Sequence, residues 1–573
     1  MSAMSITGFF HVSRRFAISG ALRHPSLFPI AGIAGIYLAA LVSMYLTEDG
    51  LTGQALFLLT FGLLNSVWLV ILRRPGVAAA FSLLPIVLII ALSKFKFDML
   101  WMTLSFFDVL IVDTDTVAFL LMIFPKVRTA LIVGAVILIP LLILLWRRDP
   151  FRVSRPMALL AGAACFAGLV GLSQAIPEET WEPFQGVNHV SNFTRSGVVS
   201  VSGLMTHTWL ESGAKASGRL PLAADDKCQP SGKPPHIVMV LDEASFDITA
   251  APGIKVPADY SRHFLSFDGK ARKFVAEGSG GPTWYTEYNV LTGLSSRSYG
   301  RHKFFLTRLA ADRVKRGLPQ ALRRCGYKTF SLYPAYGAFL GARRFQTTTG
   351  IERFIDSEEM GAGYVEPDYF YYDKALDLVE RERNGAPLFV FVYTTANHFP
   401  WDTTFRPELT PNWRSLGNDP EVDEYIRRQT MSAQDYASFV TNLKRRFPGE
   451  PFLIVRFGDH QPAISPRLIN PSLNDEAVAR HIQAYDPKYF TTYYAIDAIN
   501  HRPANLSSAL DRLDAPYLPL VVQEAAGLPL DPSFVEQKRI LQRCQGLFYA
   551  CRHGAEARNF NRMLIDAGLI KGF

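Results

Sequence analysis

The chain has 573 residues, long for one compact domain and suited to two or three. Hydrophobic residues make up 49% and charged residues only 19%, the net charge is +8 and the mean hydropathy is +0.11. These values exclude disordered, collagen-like and disulfide-scaffold classes, and they are too polar for a chain lying wholly within a membrane.

The apolar residues are concentrated in the first third. Charge-free stretches run over 25–47, 50–72, 75–93, 129–146 and 156–177. Each is long enough, or nearly so, to cross ~30 Å of hydrocarbon as a helix. The stretch 99–124 is rich in Leu, Phe and Trp but holds Asp108, Asp113 and Asp115. Charges at membrane depth are costly, so it reads as one or two interfacial helices, with a sixth span as the alternative. Arg14, Arg15 and Arg23 precede the first span, Arg73 and Arg74 follow the second, and Arg147, Arg148, Arg152 and Arg155 lie between the fourth and fifth. This bias places the N-terminus in the cytoplasm and everything after about residue 177 outside. The basic balance then reflects cytoplasmic arginines, and no nucleic-acid signature is present. Cys165 lies in a span. Cys228, Cys325, Cys544 and Cys551 would face an oxidising compartment. Cys544 with Cys551 and Cys228 with Cys325 is one pairing, and free buried thiols are the other reading.

The expected organisation is a cytoplasmic N-terminus (1–24), a transmembrane region (25–177), a juxtamembrane connector (178–232), an α/β domain (233–531) and a helical tail (532–573). In the α/β part, apolar runs at 236–241, 328–332, 388–394 and 452–457 read as buried parallel strands. Helical patterns at 313–325, 373–383 and 433–446 alternate with them, which predicts a doubly wound parallel sheet. Chemistry in such sheets sits at the carboxyl ends of the strands.

Asp242-Glu243 follows the first run, and Gly458-Asp459-His460 follows the fourth. Carboxylates avoid buried strand ends unless paired or metal-bound, and an Asp, a Glu and a His make a mixed O/N set for a divalent cation. A capping Asp is the plainer reading of either motif alone. Gly278-Ser279-Gly280-Gly281-Pro282-Thr283 places a hydroxyl at a helix start, where backbone N–H groups favour phosphate. Thr283 is there either an N-cap or a metal-activated nucleophile. Asn397-His398-Phe399-Pro400 follows the third run, with His398 either structural or a donor to phosphate and a leaving group.

In this order the motifs resemble the lipoteichoic acid synthase type of membrane transferase, within the alkaline phosphatase/sulfatase superfamily, whose relatives include phosphoethanolamine and phosphoglycerol transferases. The resemblance covers nearly the whole chain. It implies an α-helical membrane domain of five spans plus interfacial helices, followed by an α/β sulfatase-like domain. It implies one divalent metal ion, Mn2+ first with Zn2+ or Mg2+ as alternatives, on Glu243, Thr283, Asp459 and His460. Glu287 and Tyr288, four and five residues after Thr283, match the family spacing and select Thr283 over Thr286. His398 falls in the substrate motif, and Trp284, Glu287, Arg343 and Arg344 are candidate substrate contacts. A surface arginine pair is the alternative for Arg343 and Arg344. Two features depart from the pattern. Gly326-Tyr327 leads to Tyr333 where the Gram-positive synthases have a His, and Leu340-Gly341-Ala342-Arg343-Arg344 lacks their Trp. The Cys- or Ser-x-Pro-x-Arg motif of formylglycine sulfatases is also absent. The implied activity is transfer of a phospholipid headgroup phosphate, sn-glycerol phosphate first, through a phospho-threonine onto a glycan or lipid acceptor outside a bacterial inner membrane. A phosphoethanolamine transferase, a phosphodiester or sulfate-ester hydrolase, and a non-catalytic membrane assembly protein are the alternatives.

Overall fold

The computed structural model describes residues 27–571 apart from 101, 364 and parts of 112–124, 177–184 and 207–231. The first helices are α1 (Leu27–Thr47), α2 (Gly50–Leu72), α3 (Pro75–Leu100), the short α4 (Phe106–Ile111), α5 (Pro125–Arg148) and α6 (Arg155–Ala175). All but α4 are long and apolar enough to cross a membrane. The expectation for 99–124 is described at α4; Asp113, Asp115 and the arginines before residue 27 lie outside the described residues.

Turn chemistry fixes the ends of these helices. The Asp49 side chain accepts from the Gly50 N–H, and Arg73 adopts a left-handed conformation (φ 63°) that closes α2 just before Pro75. The α1–α2 turn is tied to the helix that follows the spans, α7 (His189–Thr206). Buried Glu48 accepts from the backbone N–H of Val190 at 2.9 Å, and the Asp49 N–H donates to Asn188 Oδ1 at 2.7 Å. At the other end of the bundle the Val153 N–H donates to the Arg73 carbonyl, and Asp149 Oδ2 accepts from the Gly76 N–H. The arginine-bearing turns thus meet at one end, and the α1–α2 turn meets the exit toward the α/β domain at the other. Five alternating spans require that arrangement. Val190 of α7 packs with Ala40, Phe57, Phe61, Ala79 and Ile86, so this part of the expected connector rests on the membrane-type helices.

Asp108 on α4 is buried and survives there because it is paired. Its carboxylate lies 2.8 Å from Lys96 Nζ and accepts from the Ser105 N–H. Lys96 also stands 4.5 Å from the Phe304 ring, and Phe107 packs on His302 and Phe305. These contacts seat the α/β domain on the end of the third span.

The α/β domain is built on an eight-stranded sheet: β1 (His236–Asp242), β2 (Lys273–Val275), β3 (Lys328–Leu332), β4 (Arg353–Ile355), β5 (Leu388–Tyr393), β6 (Phe452–Gly458), β7 (Thr491–Ile499) and β8 (Arg512–Asp514). Their order is β4-β3-β5-β1-β6-β7-β2-β8. The centre is parallel, as the four unbroken apolar runs predict. The sheet as a whole is mixed, because β7 runs antiparallel to both β6 and β2. β7 escapes the apolar-run criterion: its Thr-Thr-Tyr-Tyr start and Asp497 break the pattern, and Asp497 pairs with Arg456 on β6.

Four helices matter for the site and core. These are α8 (Thr283–Thr292), α9 (Leu318–Arg324), α10 (Asp368–Glu382) and α11 (Pro420–Arg446). α9 begins later than its pattern suggests, with Gly317 before it and Pro319 in its first turn. α11 begins thirteen residues earlier than expected, from an Asp419 cap, because its first half buries Asp423, Glu424, Arg427, Arg428 and Gln429 and so hides its amphipathic period. The terminal helices α12 (Pro532–Cys544) and α13 (Ala555–Asp566) bring Phe534, Ile540, Phe560 and Leu564 into the same core as Ile237 and Met239. Disulfides join Cys228 to Cys325 and Cys544 to Cys551, and Cys165 is a free thiol.

Candidate metal and catalytic site

β1 and β6 are neighbours, with Asp242 opposite Gly458 in register. The residues just beyond both strands therefore meet. The approach is so close that a Cβ on Gly458 would stand 1.8 Å from the Ser245 carbonyl oxygen, so only glycine fits. Ala244 is forced into the left-handed region (φ 48°), which aims its N–H at Asp459 Oδ1, 2.8 Å away. The His460 N–H donates to the same oxygen at 2.9 Å.

Asp459 Oδ2 is left buried with no hydrogen-bond partner. It faces His460 Nε2 at 3.3 Å, which in turn lies 3.6 Å from Glu243 Oε1. His460 Nδ1 sits 2.9 Å from the Gln461 carbonyl and donates to it, so Nε2 carries the lone pair. Among the described residues one His/Cys/Asp/Glu cluster brings its ligand atoms within 4.8 Å of one another, and it is Glu243, Asp459 and His460. Burial, then the charge of Asp459, holds the Glu243 carboxyl well above its ordinary range, and burial raises Asp459 too. An orphaned carboxylate oxygen, a second buried carboxylate and an imidazole lone pair fit a divalent cation, which relieves all three at once.

Thr283 completes the group. Gly280 (φ 77°) and Gly281 (φ 153°) turn the chain, Pro282 occupies the cap position of α8, and Thr283 is the first helical residue. Its hydroxyl does not cap the helix. Thr283 Oγ1 lies 3.5 Å from Glu243 Oε2 and 3.4 Å from His460 Nε2. Thr286 points elsewhere: its hydroxyl donates to the Asp459 carbonyl at 2.6 Å. His398 stands on the loop after β5. Its Nδ1 donates to the Phe399 carbonyl at 2.7 Å, and burial lowers its pKa to about 4, so the ring is neutral at pH 7.

Other expected contacts are committed elsewhere. Glu287 is fully buried, accepts from Gln346 Nε2 at 2.9 Å, and is pushed up to about 7 by burial. It is therefore a buried structural acid. Arg343 is held by Asp356 at 2.7 Å and Glu359 at 2.6 Å, and Arg344 pairs with Asp312 at the surface. Both guanidinium groups are thus paired with carboxylates. Trp284 donates from Nε1 to the Phe304 carbonyl at 2.9 Å, linking the start of α8 to the segment that touches α3.

Two positioning residues escape the sequence reading. Asp368 accepts from the Thr395 and Ala396 N–H groups at 3.1 and 2.9 Å, and Arg428 donates to the His398 carbonyl at 2.7 Å. Together they fix the loop bearing His398. The Pro367-Asp368 pair at a helix start is the signal for the first. Nothing marks the second among many surface arginines.

Residues 274–500, less than half of the chain, match the Sulfatase family model. Thr283, His398, Asp459 and His460 fall inside that match, and Glu243 precedes it. A curated relative, the lipoteichoic acid synthase of Staphylococcus saprophyticus, is 24% identical over 159 residues. The match takes in 26% of this chain and spans about a quarter of that relative's length. Among solved structures, the Streptococcus pyogenes phosphoglycerol transferase GacH in complex with sn-glycerol-1-phosphate is similar over 61% of this chain and 89% of its own, with 15% identity and a TM-score of 0.45. The Neisseria meningitidis lipooligosaccharide phosphoethanolamine transferase EptA is similar over 83% and 95%, with 11% identity and a TM-score of 0.44. The chain thus joins five apolar, span-length helices to an α/β domain whose residues 274–500 match the Sulfatase family model.

Proposed function

We propose that this protein is a metal-dependent membrane phosphotransferase. It moves a phospholipid headgroup phosphate, sn-glycerol phosphate from phosphatidylglycerol, onto a glycan or lipid acceptor. The observation that carries this reading is the Thr283 hydroxyl within 3.5 Å of both Glu243 and His460, beside the orphaned Asp459 oxygen. Glu243, Thr283, Asp459 and His460 would hold one divalent ion, Mn2+ first. Bound there, it supplies charge that offsets negative charge on the phosphoryl oxygens. Thr283 Oγ1 forms a bond to phosphorus as the diacylglycerol oxygen leaves and takes up the threonine proton, and an acceptor hydroxyl then displaces Thr283 and returns a proton to it. In this proposal residues 1–24 lie in the cytoplasm and the α/β domain lies outside the inner membrane. The meeting of the arginine-bearing turns at one end of the bundle supports that orientation. Tethering keeps the site near its lipid donor and raises the effective donor concentration.

The test is reconstitution of the full chain with phosphatidylglycerol or phosphatidylethanolamine, followed by mass spectrometry of lipids and acceptors. Diacylglycerol release with a glycerophosphate mass gain on the acceptor is expected. A phosphoethanolamine gain reassigns the headgroup, release to water alone makes the protein a hydrolase, and no release with either lipid overturns the reading.

A further inference from the structure

A cleft of 390 Å³ adjoins the loop after β5, and His398 forms part of its wall. Phe399, Thr403, Thr404, Phe405 and Arg406 supply much of the rest. The wall is a built one. Arg428 of α11 donates to three carbonyls of this strap, those of His398, Pro400 and Thr403, at 2.7, 2.8 and 2.9 Å. The Phe405 N–H donates to Glu424 Oε1 at 2.9 Å, and the Phe405 ring lies under the Arg428 guanidinium. The backbone is therefore preorganised, while the side chains along the cleft stay accessible. Thr403 and Thr404 are exposed, Phe399 and Phe405 are half-buried, and Arg406 is held only by loose ion pairs to Glu366 (3.5 Å) and Glu408 (3.7 Å).

Half-exposed rings, free hydroxyls and an accessible guanidinium suit a ligand with apolar faces edged by hydroxyl groups. The two arginines and the open threonines make the cleft unsuitable for an acyl chain. The lipid has another approach. Trp284, next to Thr283, is bonded to Phe304, and Phe304 packs on Lys96 at the end of the third span. That side of Thr283 faces the membrane-type helices, whereas the cleft is walled wholly by residues 365–428 of the α/β domain.

We propose that this cleft binds the acceptor, a saccharide chain, and presents one of its hydroxyls at His398; the assignment rests on the transferase reading above. In the second half-reaction the acceptor oxygen bonds to phosphorus and the Thr283 Oγ1–P bond breaks. The acceptor's proton ends on the Thr283 oxygen, so charge and protons balance.

The test uses the full chain and the double variant Phe405→Ala/Arg406→Gln, neither residue being part of the metal site. Diacylglycerol release from phosphatidylglycerol vesicles is measured without acceptor and with a linear six-unit gluco-oligosaccharide, octyl glucoside or glycerol. Saturation-transfer NMR reads binding of the same three probes directly. The expected result is that wild type binds the oligosaccharide and the variant raises its acceptor KM, or weakens binding, at least tenfold. Acceptor-free release stays within twofold. Equal loss of acceptor-free release, an unchanged acceptor KM, or oligosaccharide binding equal in variant and wild type overturns the cleft assignment. Preference for octyl glucoside or glycerol over the oligosaccharide overturns the saccharide-chain assignment. If wild type binds the oligosaccharide but releases no diacylglycerol, the transferase reading fails and the NMR comparison still decides the cleft.

Discussion

Asp242 and Glu243 leave the end of β1 into opposite surroundings. Asp242 is fully buried and fully answered: it meets His263 Nε2 at 2.9 Å and the Tyr493 hydroxyl at 2.5 Å, with Arg456 close behind. Burial pushes its carboxyl up, but these hydrogen bonds outweigh burial and bring it below the usual carboxylate range. Glu243, one residue on, has the weak company of a threonine hydroxyl, a second carboxylate and an imidazole 3.6 Å away, and its pKa goes the other way. A buried charge with its partners in place is architecture. A buried acid without them is a place that a cation would fit.

The largest effect that breaks this contrast falls on Thr283. On the proposed mechanism, Thr283→Ala removes the attacking oxygen but no strong ligand, so turnover is expected to fall by ~10³-fold or more while metal content holds. Full activity in that variant removes Thr283 as nucleophile. Asp459→Ala and His460→Ala lower metal content as well as activity. Elemental analysis of the purified chain checks this, and unchanged occupancy refutes the ligand set.

Stability measurements sharpen the contrast by sign. Asp242→Asn strips the partner from a buried His263–Arg456 cluster and destabilises by about 3 kcal/mol. Glu243→Gln in chelator-treated protein relieves repulsion and raises the melting temperature, by roughly 2 °C for each ~1 kcal/mol gained. Mn2+ raises the melting temperature of wild type and leaves Glu243→Gln nearly unmoved. Thermal denaturation with and without metal reads all three, and the same sign for both variants in metal-free protein collapses the distinction.

The smallest effect concerns a buried acid remote from the metal site. Asp514, where the Phe548 N–H donates to the carboxyl at 2.7 Å, is pushed up to about 7 by burial. The folded chain keeps its proton where the unfolded chain, near 3.9, has lost it. Its contribution to stability is therefore whole below about pH 4 and is lost as the pH rises through 7. Asp514→Asn makes the melting temperature fall less between pH 5 and pH 8 than it does in wild type.

Much of this was legible in the residues. Unbroken apolar runs identified the spans and central strands, since hydrocarbon and a doubly covered sheet both demand them. Glycine and acid at the ends of such runs located Glu243, Asp459 and His460. What stayed hidden depends on tertiary pairing. β7 and the first half of α11 carry polar residues whose burial only the folded chain makes affordable, Asp497 against Arg456 and Glu424 against Arg427 and Arg428. Glu287 has the right spacing from Thr283, but one helical turn carries it into the core against Gln346. Arg428 acts through backbone carbonyls thirty residues away, which no local pattern announces.

The most direct test is peptide mass spectrometry of the full chain quenched during turnover of phosphatidylglycerol. A glycerophosphate adduct on Thr283, absent from Thr283→Ala and from metal-stripped protein, is the predicted result. Continued turnover with Thr283 unmodified, or an adduct on another residue, contradicts the account.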